Sequence, residues 1–160
     1  KDSCSSIIKN FNNVIVTRTF SKAFGLASLR IGYCISSSIN IDMMNKFRNP
    51  KSVNLFAQVG AIAALEDLDY TLQYVREVQE NRLRFIKKMK ISFSSSLTSF
   101  MSEGNFVLLK MHKNYQPERL MKFFEDKKIY IRNYSHIKDL ENCIRITIGN
   151  EIHIWWFCCY

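Results

Sequence analysis

Two short β-type runs, Asn13-Val-Ile-Val-Thr17 and Ile31-Gly-Tyr-Cys-Ile35, bracket a segment of small and polar residues, Thr19 to Ser28. β-branched runs separated by such a segment predict strand, loop with one helical turn, strand. Ser36-Ser-Ser-Ile-Asn40 then reads as a loop ending in a helix cap, and Ile41 to Phe47 as a short helix stopped by Pro50. From Val53 the apolar residues Leu55, Phe56, Val59, Ile62, Ala63 and Leu65 recur at helical spacing. After a break at Glu66-Asp67-Leu68-Asp69 a longer amphipathic helix is predicted through Leu72, Val75, Val78, Leu83 and Ile86. Its charged residues, Arg76, Glu77, Glu80, Arg82, Arg84, Lys87 and Lys88, are expected on a solvated face. Beyond a serine-rich loop at Ser92 to Ser102, the pattern predicts a strand at Asn105–Met111, a helix at Pro117–Asp126, and strands at Ile129–Arg132 and Cys143–Ile148. This β-α-β-β order describes a small α+β unit.

The 160 residues are 47% hydrophobic and 23% charged, which excludes a disordered chain. The net charge of +9 suits an anionic partner, whether a phosphate, a nucleic acid or absent acidic sequence. A nucleic-acid-binding module would need aromatics interleaved with Lys and Arg on one face, and none is found. No stretch reaches the roughly 18 to 20 apolar residues of a membrane span, and the start at Lys1 has no leader, so a soluble cytoplasmic fragment is expected. The five cysteines, Cys4, Cys34, Cys143, Cys158 and Cys159, form no CxxC pair and no zinc-type spacing, which reads as ordinary thiols in a reducing compartment. His112, His136 and His153 lie far apart without ligand partners and are expected at the surface, so no metal site is assigned.

The segment that carries chemistry is Thr17-Arg-Thr-Phe-Ser-Lys-Ala-Phe-Gly-Leu-Ala-Ser-Leu-Arg-Ile-Gly-Tyr33. Lys22 follows the hydroxyl residues Thr19 and Ser21 and precedes Gly25, with Arg30 eight positions beyond it. Two hydroxyls, backbone N–H groups freed by small residues and a guanidinium can hold a phosphate. A lysine fixed beside that phosphate is positioned to react with the rest of the ligand. Arg132 and Arg145 are thirteen residues apart on consecutive predicted strands, and Arg145 alternates with Ile144 and Ile146, so it points away from their face.

The segment resembles the lysine motif of the fold-type-I pyridoxal-phosphate aminotransferases (class I/II), most closely the histidinol-phosphate aminotransferase group, except that Ser28 stands where glycine is usual. The likeness continues through Asn49-Pro50, Ala57-Gln58 and Ala63-Ala-Leu-Glu-Asp67, then through Gly104-Asn-Phe-Val-Leu108, Ile129-Tyr-Ile-Arg132 and Ile144-Arg-Ile-Thr-Ile-Gly149. It implies an α/β fold. The C-terminal part of the large cofactor domain would occupy residues 1–48, interdomain helices 49–90, and a small α+β domain with an atypical tail 91–160. It also implies that Lys22 joins covalently to pyridoxal 5'-phosphate and shuttles the proton, a task that calls for burial or neighbouring cations to keep the amine neutral part of the time. Thr19, Ser21 and Arg30 would anchor the cofactor phosphate, Arg18 would give structural support, and Arg132 and Arg145 would face the substrate anion.

By the same resemblance the parent enzyme would be a homodimer that moves an amino group from an amino acid or amino-phosphate to a 2-oxo acid such as 2-oxoglutarate. The alternatives are a phosphothreonine-type decarboxylase and a non-catalytic remnant. The family's other cofactor contacts precede its lysine motif, so the fragment is expected to be inactive alone. The tail Glu151-Ile-His-Ile-Trp-Trp-Phe-Cys-Cys-Tyr160 departs from the family's amphipathic helix and is read as a truncated or frame-shifted end, with a buried edge strand as the alternative.

Overall fold

The computed structural model describes residues 4–149, so the expectation for the tail falls outside the described residues. A division after Leu72 separates two compact units. The first opens with a 3₁₀ segment, Cys4–Lys9, and contains strands β1 (Val16–Thr19) and β2 (Gly32–Ile35), with a 3₁₀ turn at Ala27–Leu29 between them. Helices α1 (Ser38–Asn45) and α2 (Leu55–Glu66) follow, and α3 (Leu68–Ser92) begins in this unit.

β1 and β2 pair antiparallel, from Val16 opposite Ile35 to Thr19 opposite Gly32. The expected strand from Asn13 therefore starts three residues late, and the cause lies in α1. Ser36 Oγ donates to Val14 O at 2.6 Å and Asn40 Nδ2 to Asn12 O at 2.5 Å, so this stretch is held by side chains at the start of α1 instead of by β2. α1 itself begins at Ser38, ahead of the predicted Ile41. Asn54 caps α2 by accepting from Ala57 N at 2.9 Å. Asp67 separates the two long helices as the sequence predicts: its N–H closes α2 on Ala63 O, and its Oδ1 accepts from Tyr70 N in the first turn of α3. Burial in this unit is slight. Phe20, Ala57 and Ala61 are its buried apolar residues, whereas Phe56 is 81% exposed.

The second unit holds a four-stranded antiparallel sheet in the order β3-β4-β6-β5, made of Leu97–Ser99, Phe106–Met111, Cys143–Thr147 and Arg132–Asn133, with helix α4 (Pro117–Glu125). Alternation sends Val107, Leu109, Met111, Ile144 and Ile146 to one face, where they pack with Val78, Phe85, Ile86 and Met89 of α3 and Phe124 of α4. Burying side chains of this size stabilises by about 1.5–3 kcal/mol each.

Three expectations are corrected here. The serine-rich loop contains β3, whose Leu97 and Ser99 face inward; the alternation is too short to stand out among serines. The strand predicted over Ile129–Arg132 is confined to Arg132–Asn133. α4 ends with Lys128 in the left-handed region (φ 60°), Lys128 N on Glu125 O and Ile129 N on Phe124 O, both at 2.8 Å, so Ile129 still belongs to the helix stop. Finally, Arg82 is not on a solvated face. It is 5% exposed, with Nη1 donating to Gly104 O at 2.8 Å and Nη2 3.7 Å from Glu103, while the neighbouring Asn81 donates to Gly149 O.

His112 is half-buried, with Nδ1 3.0 Å from Ser95 O and Nε2 3.2 Å from Thr98 Oγ1, so it ties the start of β3 to the end of β4. Among the described residues no cluster of His, Cys, Asp or Glu could hold a metal, and no helix is long and apolar enough to cross a membrane. Cys4 and Cys34 are exposed free thiols; Cys143 is buried, which pushes its thiol up.

Candidate active site

Phe20 anchors the connection from β1 to β2. It is 5% exposed and packs on the rings of Phe24 and Tyr33, at centroid distances of 4.7 and 5.9 Å. Its N–H extends the strand ladder by bonding Ile31 O, and its carbonyl accepts from Leu26 N at 3.0 Å. Between these ties Lys22 opens a tight turn that Gly25 N closes on Lys22 O at 2.9 Å. Gly25 sits at φ 69°, where a side chain would be strained. Lys22 is exposed in this chain, so the described residues do not supply the burial its chemistry calls for.

The other residues singled out with Lys22 lie in the same connection. Thr19 ends β1, and its Oγ1 accepts from Ser21 N at 3.0 Å, which leaves the hydroxyl proton to donate elsewhere. Arg30 adopts the left-handed conformation (φ 55°) just before β2, and its Nη1 reaches back over the 3₁₀ turn to Ala27 O at 3.1 Å. Ser28 lies exposed in that turn, so replacing the usual glycine adds no buried group. Two close approaches fix the frame. A Cβ on Gly32 would lie 2.6 Å from Arg18 O, and one on Gly60 of α2 would lie 2.8 Å from Leu29 Cδ1. The structure thus gathers a primary amine, two hydroxyls and a guanidinium into one loop, a donor set suited to an anion that also carries an electrophilic carbon.

Arg132 and Arg145 belong to the second unit. They stand directly opposite each other in the β5–β6 register, which puts both on the face away from Ile144 and Ile146. Arg145 Cζ lies 4.4 Å from the centroid of the Phe106 ring, and its Nη1 donates to Tyr134 Oη at 3.1 Å. That hydrogen bond holds the Tyr134 phenol below the ordinary tyrosine value; partial burial opposes the shift, and the charge of Arg145, then the hydrogen bond and charge of Arg132, add to the lowering. Sequence reasoning missed Tyr134. Its period-two relation to Arg132 was the available signal, because it places Tyr134 on the arginine face. Nor did the sequence reveal the support beneath: Asn133, on the opposite face, donates to Glu118 of α4 at 3.0 Å.

Known proteins share this arrangement of elements. The family model described as "Aminotransferase class I and II" matches residues 4–153. A dihydroxyacetone phosphate transaminase of Campylobacter jejuni is 47% identical over 93% of this chain, and this chain covers 40% of that protein's length. Among solved structures, the histidinol-phosphate aminotransferase of Clostridium acetobutylicum superposes with a TM-score of 0.87 at 28% identity, over 98% of this chain and 47% of the other. The L-threonine-O-3-phosphate decarboxylase of Porphyromonas gingivalis does so with a TM-score of 0.81 at 26% identity, over 97% and 47%. These agreements bear out the expected fold class, an α/β segment of a fold-type-I enzyme. The family match over residues 4–153 and the loop built around Lys22 lead to one conclusion: the chain belongs to the class I and II aminotransferases.

Proposed function

We propose that this chain is the C-terminal part of a pyridoxal-phosphate-dependent aminotransferase that exchanges an amino group between a small phosphate-bearing or amino-acid donor and a 2-oxo acid such as 2-oxoglutarate. The single observation that carries the reading is the loop of Thr19, Ser21, Lys22 and Arg30, closed by the Gly25 turn and anchored by Phe20. Its donor set fits a phosphate ester bearing an aldehyde: hydroxyls and a guanidinium for the phosphate, and a primary amine for the carbonyl carbon. When bound, pyridoxal phosphate supplies an electron-accepting ring that stabilises the electron pair left on the substrate carbon.

The remaining tasks fall to side chains. Thr19, Ser21 and Arg30 hold the cofactor's phosphate, and Arg18 supports the loop. Lys22 Nζ would hold the cofactor until substrate arrives, and would then carry the proton from the substrate carbon to the carbon of the cofactor's former aldehyde. Arg132 and Arg145 bind the substrate's anionic end, each guanidinium offering a fork of N–H donors. On this reading residues 1–48 close the large domain, 49–90 link, and 91–160 form the small domain of a cytoplasmic homodimer. The three relatives named above all take their names from small phosphate-bearing compounds, which supports a phosphorylated substrate.

The test is borohydride reduction of the full-length protein followed by peptide mapping. The reduced cofactor should be found on Lys22 and be absent from Lys22→Ala; a label elsewhere, or none, overturns the reading and leaves a non-catalytic remnant. The likeness to the threonine-phosphate enzyme favours decarboxylation as a second reading. Carbon dioxide release from a phosphorylated amino acid, without transfer of nitrogen to 2-oxoglutarate, would select it.

A further inference from the structure

We propose that Tyr134 is a third binding group beside Arg132 and Arg145, and that it tilts this cradle toward a phosphate monoester and away from a carboxylate. The inference rests on reading the arginine pair as the holder of the substrate's anionic group, and it names the class of that group. Arg132 and Arg145 face each other across adjacent strands, where like charges directly opposite are destabilising. A sheet edge gains nothing from that pairing unless an anion comes between the charges.

Tyr134 lies two residues beyond Arg132, and its N–H bonds Cys143 O at 2.8 Å, so the pairing with β6 continues past the short β5 and keeps the phenol on the arginine face. The phenol oxygen already accepts from Arg145 Nη1 at 3.1 Å. Its own proton is therefore left to donate, and a hydroxyl held by a cation presents that proton to an anion. The Phe106 ring, 4.4 Å from the guanidinium carbon, holds Arg145 in position for this.

Ligand chemistry then separates the candidates. A carboxylate has two oxygens and one charge, and a single guanidinium fork satisfies it. A phosphate monoester has three terminal oxygens and about −1.5 to −2 charge near neutrality. It can take both guanidiniums and still have an oxygen for the tyrosine hydroxyl.

Calorimetric titration of the full-length, cofactor-loaded protein with inorganic phosphate and with acetate tests the proposal. The wild-type protein should bind phosphate more tightly than acetate; the reverse order overturns the proposal without any variant. In Tyr134→Phe, which keeps the ring, phosphate affinity should fall about tenfold, as for loss of a hydrogen bond to a charged group, while acetate affinity moves less than twofold. Equal losses for both anions, or no loss for phosphate, overturn it. Arg145→Gln separates the underlying reading: if that variant keeps full phosphate affinity, the arginine pair is not the anion site.

Discussion

Tyr134 shows how a single residue's chemistry is set by neighbours that its local sequence does not reveal. Arg145 donates to it from eleven residues away in the chain, and the two arginines favour the ionised phenol. Ultraviolet titration of the protein against Tyr134→Phe should therefore show one phenol ionising below about 10, the ordinary value, and the same component should return toward that value in Arg145→Gln. The sign for stability follows. Between the lowered folded value and the unfolded one the unfolded chain holds more protons, so stability rises with pH there. That contribution is complete above the unfolded value and is lost as pH falls through the folded one. Lys22 and Arg30 stood out because their spacing is a local signal, whereas Arg132 and Arg145 were singled out only through the family resemblance, and the register sets them face to face. Arg82 was not legible. A charged residue on an amphipathic helix reads as solvated, and only the carbonyl of Gly104, twenty-two residues on, explains its burial.

Among the elements, the long helices were readable from their period and from Asp67, which ends one and starts the next. Strand limits were less readable, because hydrogen bonds from other elements decide them. β1 loses its first residues to the side chains of Ser36 and Asn40, and β5 loses its first to the stop of α4. That stop places Lys128 in a conformation that suits glycine, at φ 60°. An L-residue there carries a cost of about 1–2 kcal/mol. Lys128→Gly should accordingly stabilise the second unit by about 1 kcal/mol once the glycine's greater freedom in the unfolded chain is offset, read as a higher urea midpoint with unchanged slope. A destabilised variant would show that the Lys128 side chain contributes more than its backbone costs.

Over the whole molecule, burial is distributed unequally. The second unit has a contiguous core in which Val107, Leu109 and Ile144 are completely buried. In the first, α2 leaves Leu55, Phe56, Val59 and Ile62 exposed, and β1 and β2 pair only with each other among the described residues. A two-stranded ribbon with so little burial is marginal in water. The fold class was legible because the motif order survives in sequence, and so was the imbalance, because the family resemblance makes residues 1–48 the end of a larger domain, short of most of its sheet neighbours. Periodicity alone marks an apolar face without revealing what covers it. The feature with the widest reach is that sparsely buried ribbon bearing Lys22. If the proposed homodimer covers that ribbon, its folding is coupled to association and its midpoint should move with dilution as mass action requires. Melting the 160-residue chain across a hundredfold range of concentration should shift the transition of residues 4–72, monitored at Tyr33, and leave that of the second unit fixed. A midpoint indifferent to dilution would mean that the lysine loop is self-sufficient.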